Sequence, residues 1–97
     1  MGCEYIEKKK PSVDHIVPYR LLLQLREANP LVNPNEQVNL IALCTKHHMK
    51  KTGMESRLFE GNVVRFISEA KSIIPENLIW DALEWYGLAK RKPTNNP

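Results

Sequence analysis

Residue types suited to metal binding and proton transfer are concentrated in two short segments of this chain. Asp14 and His15 are adjacent, and Cys44, His47 and His48 lie within five residues of one another. All three histidines of the chain fall in these two segments. A carboxylate can hold a hard divalent cation, and a neutral imidazole can remove a proton from water. Metal-assisted hydrolysis is therefore the chemistry that this pattern indicates.

The Cys44 to His48 segment is predicted to divide its side chains between two sites. Thr45 is a suitable N-cap, so a helix is predicted to begin there and to carry both histidines. Cys44 and His47 are three residues apart and share a helical face. His47 and His48 diverge by about 100° around the helix axis. We therefore expect His48 to serve a different site from Cys44 and His47.

Asp14 and His15 are predicted to lie at the end of a strand. Side chains alternate along a regular strand, so the two would point apart in its middle. They can converge on one site only if the backbone becomes irregular there. Pro18, three residues after His15, favours such an irregular end.

Periodicity and turn residues predict the elements that position these side chains. We predict an α+β chain with the order strand, inserted helix, strand, helix and two further helices. The predicted strands are Ser12 to Val17 and Val38 to Leu43. The predicted helices are Tyr19 to Ala28, a helix from Thr45 that Gly53 ends or weakens, Val63 to Ile74, and a helix from Pro75 to Gly87.

Composition limits the class of protein. Its 97 residues make a single domain, and 42% hydrophobic with 26% charged residues is typical of a globular chain. The net charge of +3 is only mildly basic, and taken alone it favours a solvated surface over a nucleic-acid partner. No apolar run approaches the roughly 20 residues of a membrane span, and no signal peptide is recognisable. We expect a cytoplasmic protein without a membrane partner.

Three segments together resemble the HNH endonuclease family. They read Val-Asp-His-Ile-Val-Pro from residue 13, Asn-Leu-Ile-Ala-Leu-Cys from residue 39, and Thr-Lys-His-His-Met-Lys-Lys from residue 45. The resemblance covers residues 3–55 and implies a ββα-metal (His-Me finger) core of two short strands and a helix. The inserted helix, a C-terminal helical extension over 61–89 and a frayed tail over 90–97 would be added to that core.

The resemblance also implies the roles of individual residues. Asp14 and His48 would hold a catalytic divalent ion, which could be Mg²⁺, Mn²⁺, Ni²⁺ or Zn²⁺. His15 would be the general base that activates water, and Asn39 would fix the loop that carries it. Contacts to DNA are expected from three lysines of the third segment, namely Lys46, Lys50 and Lys51.

A structural zinc is where the chain departs from the family pattern. The family usually supplies two Cys-x-x-Cys pairs, whereas this chain offers only Cys3, Cys44 and His47. Three ligands are one short of a closed tetrahedral site. Glu4 or Glu7 could complete the set; alternatively the zinc site has been lost and Cys44 is a buried thiol. The sequence leaves both open.

The function expected from the resemblance is metal-dependent cleavage of DNA that leaves 5′-phosphate and 3′-hydroxyl ends. Small nucleases of this kind occur in phages and mobile elements, so a bacterial or phage-infected cell is the expected setting. A homodimer or a phage packaging or recombination partner would be compatible with this role. The alternative is a non-catalytic module that retains the fold, either binding DNA or acting as a zinc-stabilised assembly domain.

Overall fold

The computed structural model describes residues 12–91, which form a two-stranded antiparallel sheet and four helices. The chain is α+β, as predicted. Its elements, in chain order, are β1 (Ser12–His15), α1 (Tyr19–Ala28), β2 (Leu40–Leu43), α2 (Thr45–Phe59), α3 (Val63–Ala70) and α4 (Glu76–Trp85). The predictions for Cys3, Glu4, Glu7 and most of the tail lie outside the described residues.

Strand β1 is shorter than predicted because the residues after His15 form hydrogen bonds with Asn39, which precedes β2, and not with a residue of β2. Strands β1 and β2 pair with His15 opposite Leu40. The N–H of Ile16 then donates to the Asn39 carbonyl (2.7 Å), and that of Val17 donates to the Asn39 side chain (2.7 Å). Asn39 itself ends a 3₁₀ turn, Gln37–Asn39, where the sequence predicted the start of the second strand.

The N-cap of helix α2 lies one residue earlier than predicted, and the helix extends further than predicted. Cys44, and not Thr45, is the N-cap, and its Sγ accepts a hydrogen bond from the His47 N–H. The prediction that Gly53 ends the helix is wrong. A glycine inside a helix costs only about 1 kcal/mol relative to alanine. Burial of Leu58 further along the helix offsets that cost.

The end of α2 is fixed by a Schellman motif centred on Gly61. Gly61 has a φ of 82°, a left-handed conformation that favours glycine. Its N–H donates to the Leu58 carbonyl (3.0 Å), and the Asn62 N–H donates to the Arg57 carbonyl (2.7 Å). The Asn62 side chain then caps α3 by accepting from the Arg65 N–H. The chain thus turns from α2 into α3 within three residues.

The hydrophobic core joins the C-terminal helices to the strand end that carries the predicted catalytic residues. Fully buried side chains from α3 and α4 include Phe66, Ile79 and Leu83, and they belong to the same cluster as Ile16 and Val17. The stretch immediately after His15 is therefore held by the core. In residues 12–91, no helix is both long enough and apolar enough to cross a membrane.

Candidate metal and catalytic site

Two side-chain atoms from β1 and α2 face each other without forming a hydrogen bond. Asp14 Oδ2 lies 3.2 Å from His48 Nδ1. Both atoms are buried, and within the described residues neither has a hydrogen-bond partner. Buried polar atoms are nearly always satisfied, because an unsatisfied one costs about 1–3 kcal/mol. A third group between the two atoms, such as a water molecule or a cation, would satisfy both.

A divalent cation between the two atoms meets that need. Neighbouring ligands of an octahedral ion, each about 2.1 Å from it, lie about 3 Å apart. The Oδ2 to Nδ1 separation of 3.2 Å matches this spacing. A carboxylate oxygen and a neutral imidazole nitrogen are also suitable donors for Mn²⁺, Ni²⁺ or Zn²⁺, and the carboxylate suits Mg²⁺.

The two candidate ligands, Asp14 and His48, do not form a closed cage. Among residues 12–91, no group of three or more histidine, cysteine or acidic side chains could hold a metal ion. A site with two protein ligands leaves most coordination positions to water and substrate, as is common where an ion contacts phosphate. Such an open site suits catalysis better than structural support.

His15 lies beside this pair, and its ring is held from two sides. Asp14 and His15 line the same cavity as His48, although both residues still pair regularly with β2, so the irregular strand end expected from the sequence is not what brings them there. The Asp14 carboxylate accepts a hydrogen bond from the His15 backbone N–H (2.7 Å). His15 Nε2 lies 2.8 Å from Asn35 Oδ1, and its ring packs on Tyr19 with centroids 5.4 Å apart.

Asn35 is a site residue that the sequence did not single out. An amide oxygen can only accept, so His15 Nε2 carries the proton in a neutral ring. The lone pair then lies on Nδ1. The sequence indicated only a turn around Asn35, since asparagine and proline residues dominate that loop. No local signal connects it to His15, which is 20 residues away.

Asn39 is completely buried and clamps the backbone that follows His15. Its Oδ1 accepts from the Val17 N–H (2.7 Å), while its Nδ2 donates to the carbonyls of Val17 and Pro34 (3.1 Å each). These bonds join the end of β1 to the loop that carries Asn35. The Asn39 side chain therefore occupies a position from which it can fix the loop after His15.

Lys51 does not lie where the predicted contact with DNA requires it. Its side chain is fully buried. Its Nζ lies 2.5 Å from Glu55 Oε2 and 3.6 Å from Asp14 Oδ2. An ammonium enclosed by two carboxylates cannot reach a phosphate at the surface. Lys51 instead forms ion pairs with Asp14, a candidate metal ligand, and with Glu55, which the sequence did not single out.

Lys46 and Lys50 are exposed, but they do not share the face of α2 that carries His48. Residues 48, 52, 55 and 59 form one stripe that borders the cavity. Both lysines lie about 160° around the helix from His48, at 100° per residue. Their predicted contacts with DNA would therefore involve a surface other than this cavity.

Cys44 and His47 lie at the start of α2, where they were expected to separate from His48. Both are half-buried. The hydrogen bond from the His47 N–H to Cys44 Sγ spans 3.5 Å. Cys3 lies outside the described residues, so a structural zinc at Cys3, Cys44 and His47 stays a prediction.

The cavity itself has a volume of about 280 Å³. Asp14, His15 and His48 line one part of it. Arg20 and Phe59, from α1 and the end of α2, line another part. Neither residue could be assigned to the site from the sequence, because only the fold brings the inserted helix to the end of α2.

Comparisons of this chain with family models, with curated proteins and with solved structures find no match.

Proposed function

We propose that this chain is a metal-dependent endonuclease that hydrolyses phosphodiester bonds of DNA. The observation that carries the proposal is the buried, unsatisfied pair Asp14 Oδ2 and His48 Nδ1, 3.2 Å apart beside the His15 ring. Two ligand atoms and a candidate general base share one cavity. The order β1, β2, α2, with its ligands on β1 and α2, also supports the ββα-metal interpretation.

The ion would be held by Asp14 and His48. When bound, it would supply positive charge that stabilises the phosphoryl group and the departing 3′ oxygen. All other groups that the reaction needs come from the chain or from water.

His15 would activate the attacking water. Its Nδ1 lone pair takes a proton while the water oxygen forms a bond to phosphorus, and the bond from phosphorus to the 3′ oxygen breaks. The 3′ oxygen then takes a proton from solvent, which leaves 5′-phosphate and 3′-hydroxyl ends. General-base assistance of this kind contributes about 10²- to 10⁴-fold in rate.

The surrounding residues would keep His15 in a productive orientation. Asn35 holds Nε2, and the Asn39 clamp restrains the backbone two residues beyond the ring. A base has to lie within hydrogen-bond reach of the water that it deprotonates. Restraint from two sides therefore favours catalysis over simple binding of DNA, which requires no base.

Nicking of supercoiled plasmid, with Mg²⁺, Mn²⁺, Ni²⁺ or Zn²⁺ added in turn, tests this function. The wild type is expected to nick DNA with at least one of these ions. His15→Ala is expected to lose at least about 10²-fold in rate while it retains affinity for Mn²⁺. Asp14→Asn is the matched comparison, because it is expected to lose both affinity for Mn²⁺ and nicking.

Two results would reject the nuclease proposal. One is a wild type that fails to nick DNA with every ion. The other is an equal nicking rate for the wild type and His15→Ala. DNA binding without nicking would instead support a non-catalytic module that retains the fold.

A further inference from the structure

Arg20 is an exposed cation in the wall of the candidate active-site cavity. It lies in the first turn of α1 and borders the same cavity as Asp14 and His48. The ion pairs formed within residues 12–91 do not include Arg20. By contrast, the buried Lys51 is engaged by two carboxylates. Arg20 therefore brings uncompensated positive charge to this cavity.

Phe59 supports the guanidinium group of Arg20. The Arg20 Cζ lies 5.7 Å from the centroid of the Phe59 ring. A cation over an aromatic face is attracted to the ring and loses some of its freedom to move. The guanidinium N–H donors of Arg20 take part in none of the ion pairs formed within residues 12–91. Those donors form the planar fork that binds two oxygens of a phosphate.

The exposed lysines of the third segment, which begins at residue 45, cannot supply positive charge at the cavity. Lys46 and Lys50 lie on the far side of α2 from His48, as described above. A phosphodiester carries a negative charge, and an exposed cation in the cavity wall attracts it. Within the cavity wall, Arg20 is placed to provide this positive charge.

We propose that Arg20 binds the non-bridging oxygens of the phosphate that is cleaved, and that Phe59 positions it. This proposal rests on the proposed nuclease function and names the group that recognises its substrate. Negative charge grows on these oxygens as water attacks. A fixed pair of donors then stabilises the transition state more than the bound substrate.

The test compares Arg20→Ala with Arg26→Ala. Both variants remove one arginine from the exposed surface of α1, and Arg26 does not line the cavity. With plasmid DNA and saturating Mn²⁺, Arg20→Ala is expected to lower kcat about 10²- to 10³-fold. Arg26→Ala is expected to stay within about twofold of the wild type, since a surface arginine away from the phosphate contributes little. The affinity of Arg20→Ala for Mn²⁺ should match that of the wild type.

Two further variants separate the shape of the donor group from its charge. Arg20→Lys keeps the charge but loses the fork, so it is expected to recover only part of the rate. Phe59→Leu keeps Arg20 and removes the aromatic ring, so a partial loss of kcat is expected there too. Full activity in both Arg20→Ala and Arg20→Lys would overturn the proposal. So would an Arg20→Ala variant that raises KM and leaves kcat unchanged.

Binding measurements keep the proposal independent of cleavage. In a His15→Ala background, fluorescence anisotropy with duplex DNA measures affinity over a range of salt concentrations. Loss of one phosphate contact lowers the slope of log K against log salt by about 0.9. Arg20→Ala is expected to show this change relative to Arg26→Ala, even if the wild type does not nick DNA. Equal slopes for the two variants would overturn the assignment of Arg20 without affecting the nuclease proposal.

Discussion

At the scale of single residues, the buried ammonium of Lys51 balances the charge of the candidate metal site. It lies between Asp14 and Glu55, and its side chain is fully buried. Removing one partner from a buried ion pair leaves an uncompensated charge and costs about 3–5 kcal/mol. The sequence could not show this arrangement, because a lysine in a basic helix is usually exposed.

Lys51→Met is therefore expected to lower the free energy of unfolding by about 3–5 kcal/mol without metal. Addition of Mn²⁺ should restore more stability to this variant than to the wild type, because the ion replaces the missing positive charge. Denaturant unfolding with and without Mn²⁺ measures both effects.

The neighbouring lysine is the control for this prediction. Lys50 is exposed, so Lys50→Met is expected to change stability by less than about 0.5 kcal/mol. Equal stability of Lys50→Met and Lys51→Met would contradict the role assigned to Lys51.

Asn35 gives a second test at this scale. Asn35→Asp places a carboxylate against His15 Nε2, and a carboxylate favours the protonated ring, which cannot act as a base. Nicking by Asn35→Asp at a fixed pH should therefore be slower than nicking by the wild type. Asn33→Asp, in the same loop, adds the same charge without contacting His15, and a similar loss of rate there would count against a specific role for Asn35.

At the scale of elements, α2 shows what local patterns can and cannot predict. The sequence correctly indicated a helix that carries His47 and His48 and separates them. The prediction that Gly53 ends this helix was wrong, because packing along the rest of the helix outweighs the low helix propensity of one glycine. Asp14, His15 and His48 could be chosen from the sequence because they lie in short motifs. Arg20, Asn35 and Glu55 could not, because only tertiary structure brings them to the site.

Gly53 inside α2 and Gly61 just after it provide a prediction about stability. A Cβ at Gly53 would meet no atom within 4 Å. Gly53→Ala is therefore expected to stabilise the protein by about 0.5–1 kcal/mol. Gly61→Ala is expected to destabilise it by about 1–2 kcal/mol, since its φ of 82° is strained for alanine. Denaturant unfolding measures both, and a destabilised Gly53→Ala would contradict the packing described for α2.

At the scale of the whole molecule, the C-terminal helices are joined to the loop of the candidate site. The Tyr86 hydroxyl, just after α4, donates to the Asn33 carbonyl (2.6 Å). This bond spans 53 residues of sequence and anchors the loop that also carries Asn35. No local sequence signal connects the two residues, because Tyr86 lies inside the helix predicted from Pro75 to Gly87 and Asn33 lies 53 residues earlier.

The pKa of Tyr86 gives this contact a pH dependence. Burial, and then the negative charge of Glu36, raise this pKa above its ordinary value of 10.0. A raised pKa in the folded state means that the contribution to stability is complete below pH 10 and is lost as pH rises through the folded value. Tyr86→Phe is expected to cost about 1 kcal/mol at pH 8.

The difference in stability between the wild type and Tyr86→Phe should shrink above pH 10. Unfolding by urea at a series of pH values measures it. Tyr19→Phe, at an exposed tyrosine, is the control and should show no comparable trend. A difference that grows with pH would contradict the assigned environment of Tyr86.

The most direct test of the proposed metal-dependent nuclease is the rate of plasmid nicking as a function of Mn²⁺ concentration, for the wild type and His48→Ala. The wild-type rate is expected to rise with Mn²⁺ and to saturate. His48→Ala should need at least about tenfold more Mn²⁺, since loss of even an outer partner of a ligand costs about 10- to 100-fold in affinity. Absence of nicking by the wild type, or the same half-saturating Mn²⁺ concentration for both proteins, would contradict a metal-dependent nuclease centred on Asp14 and His48.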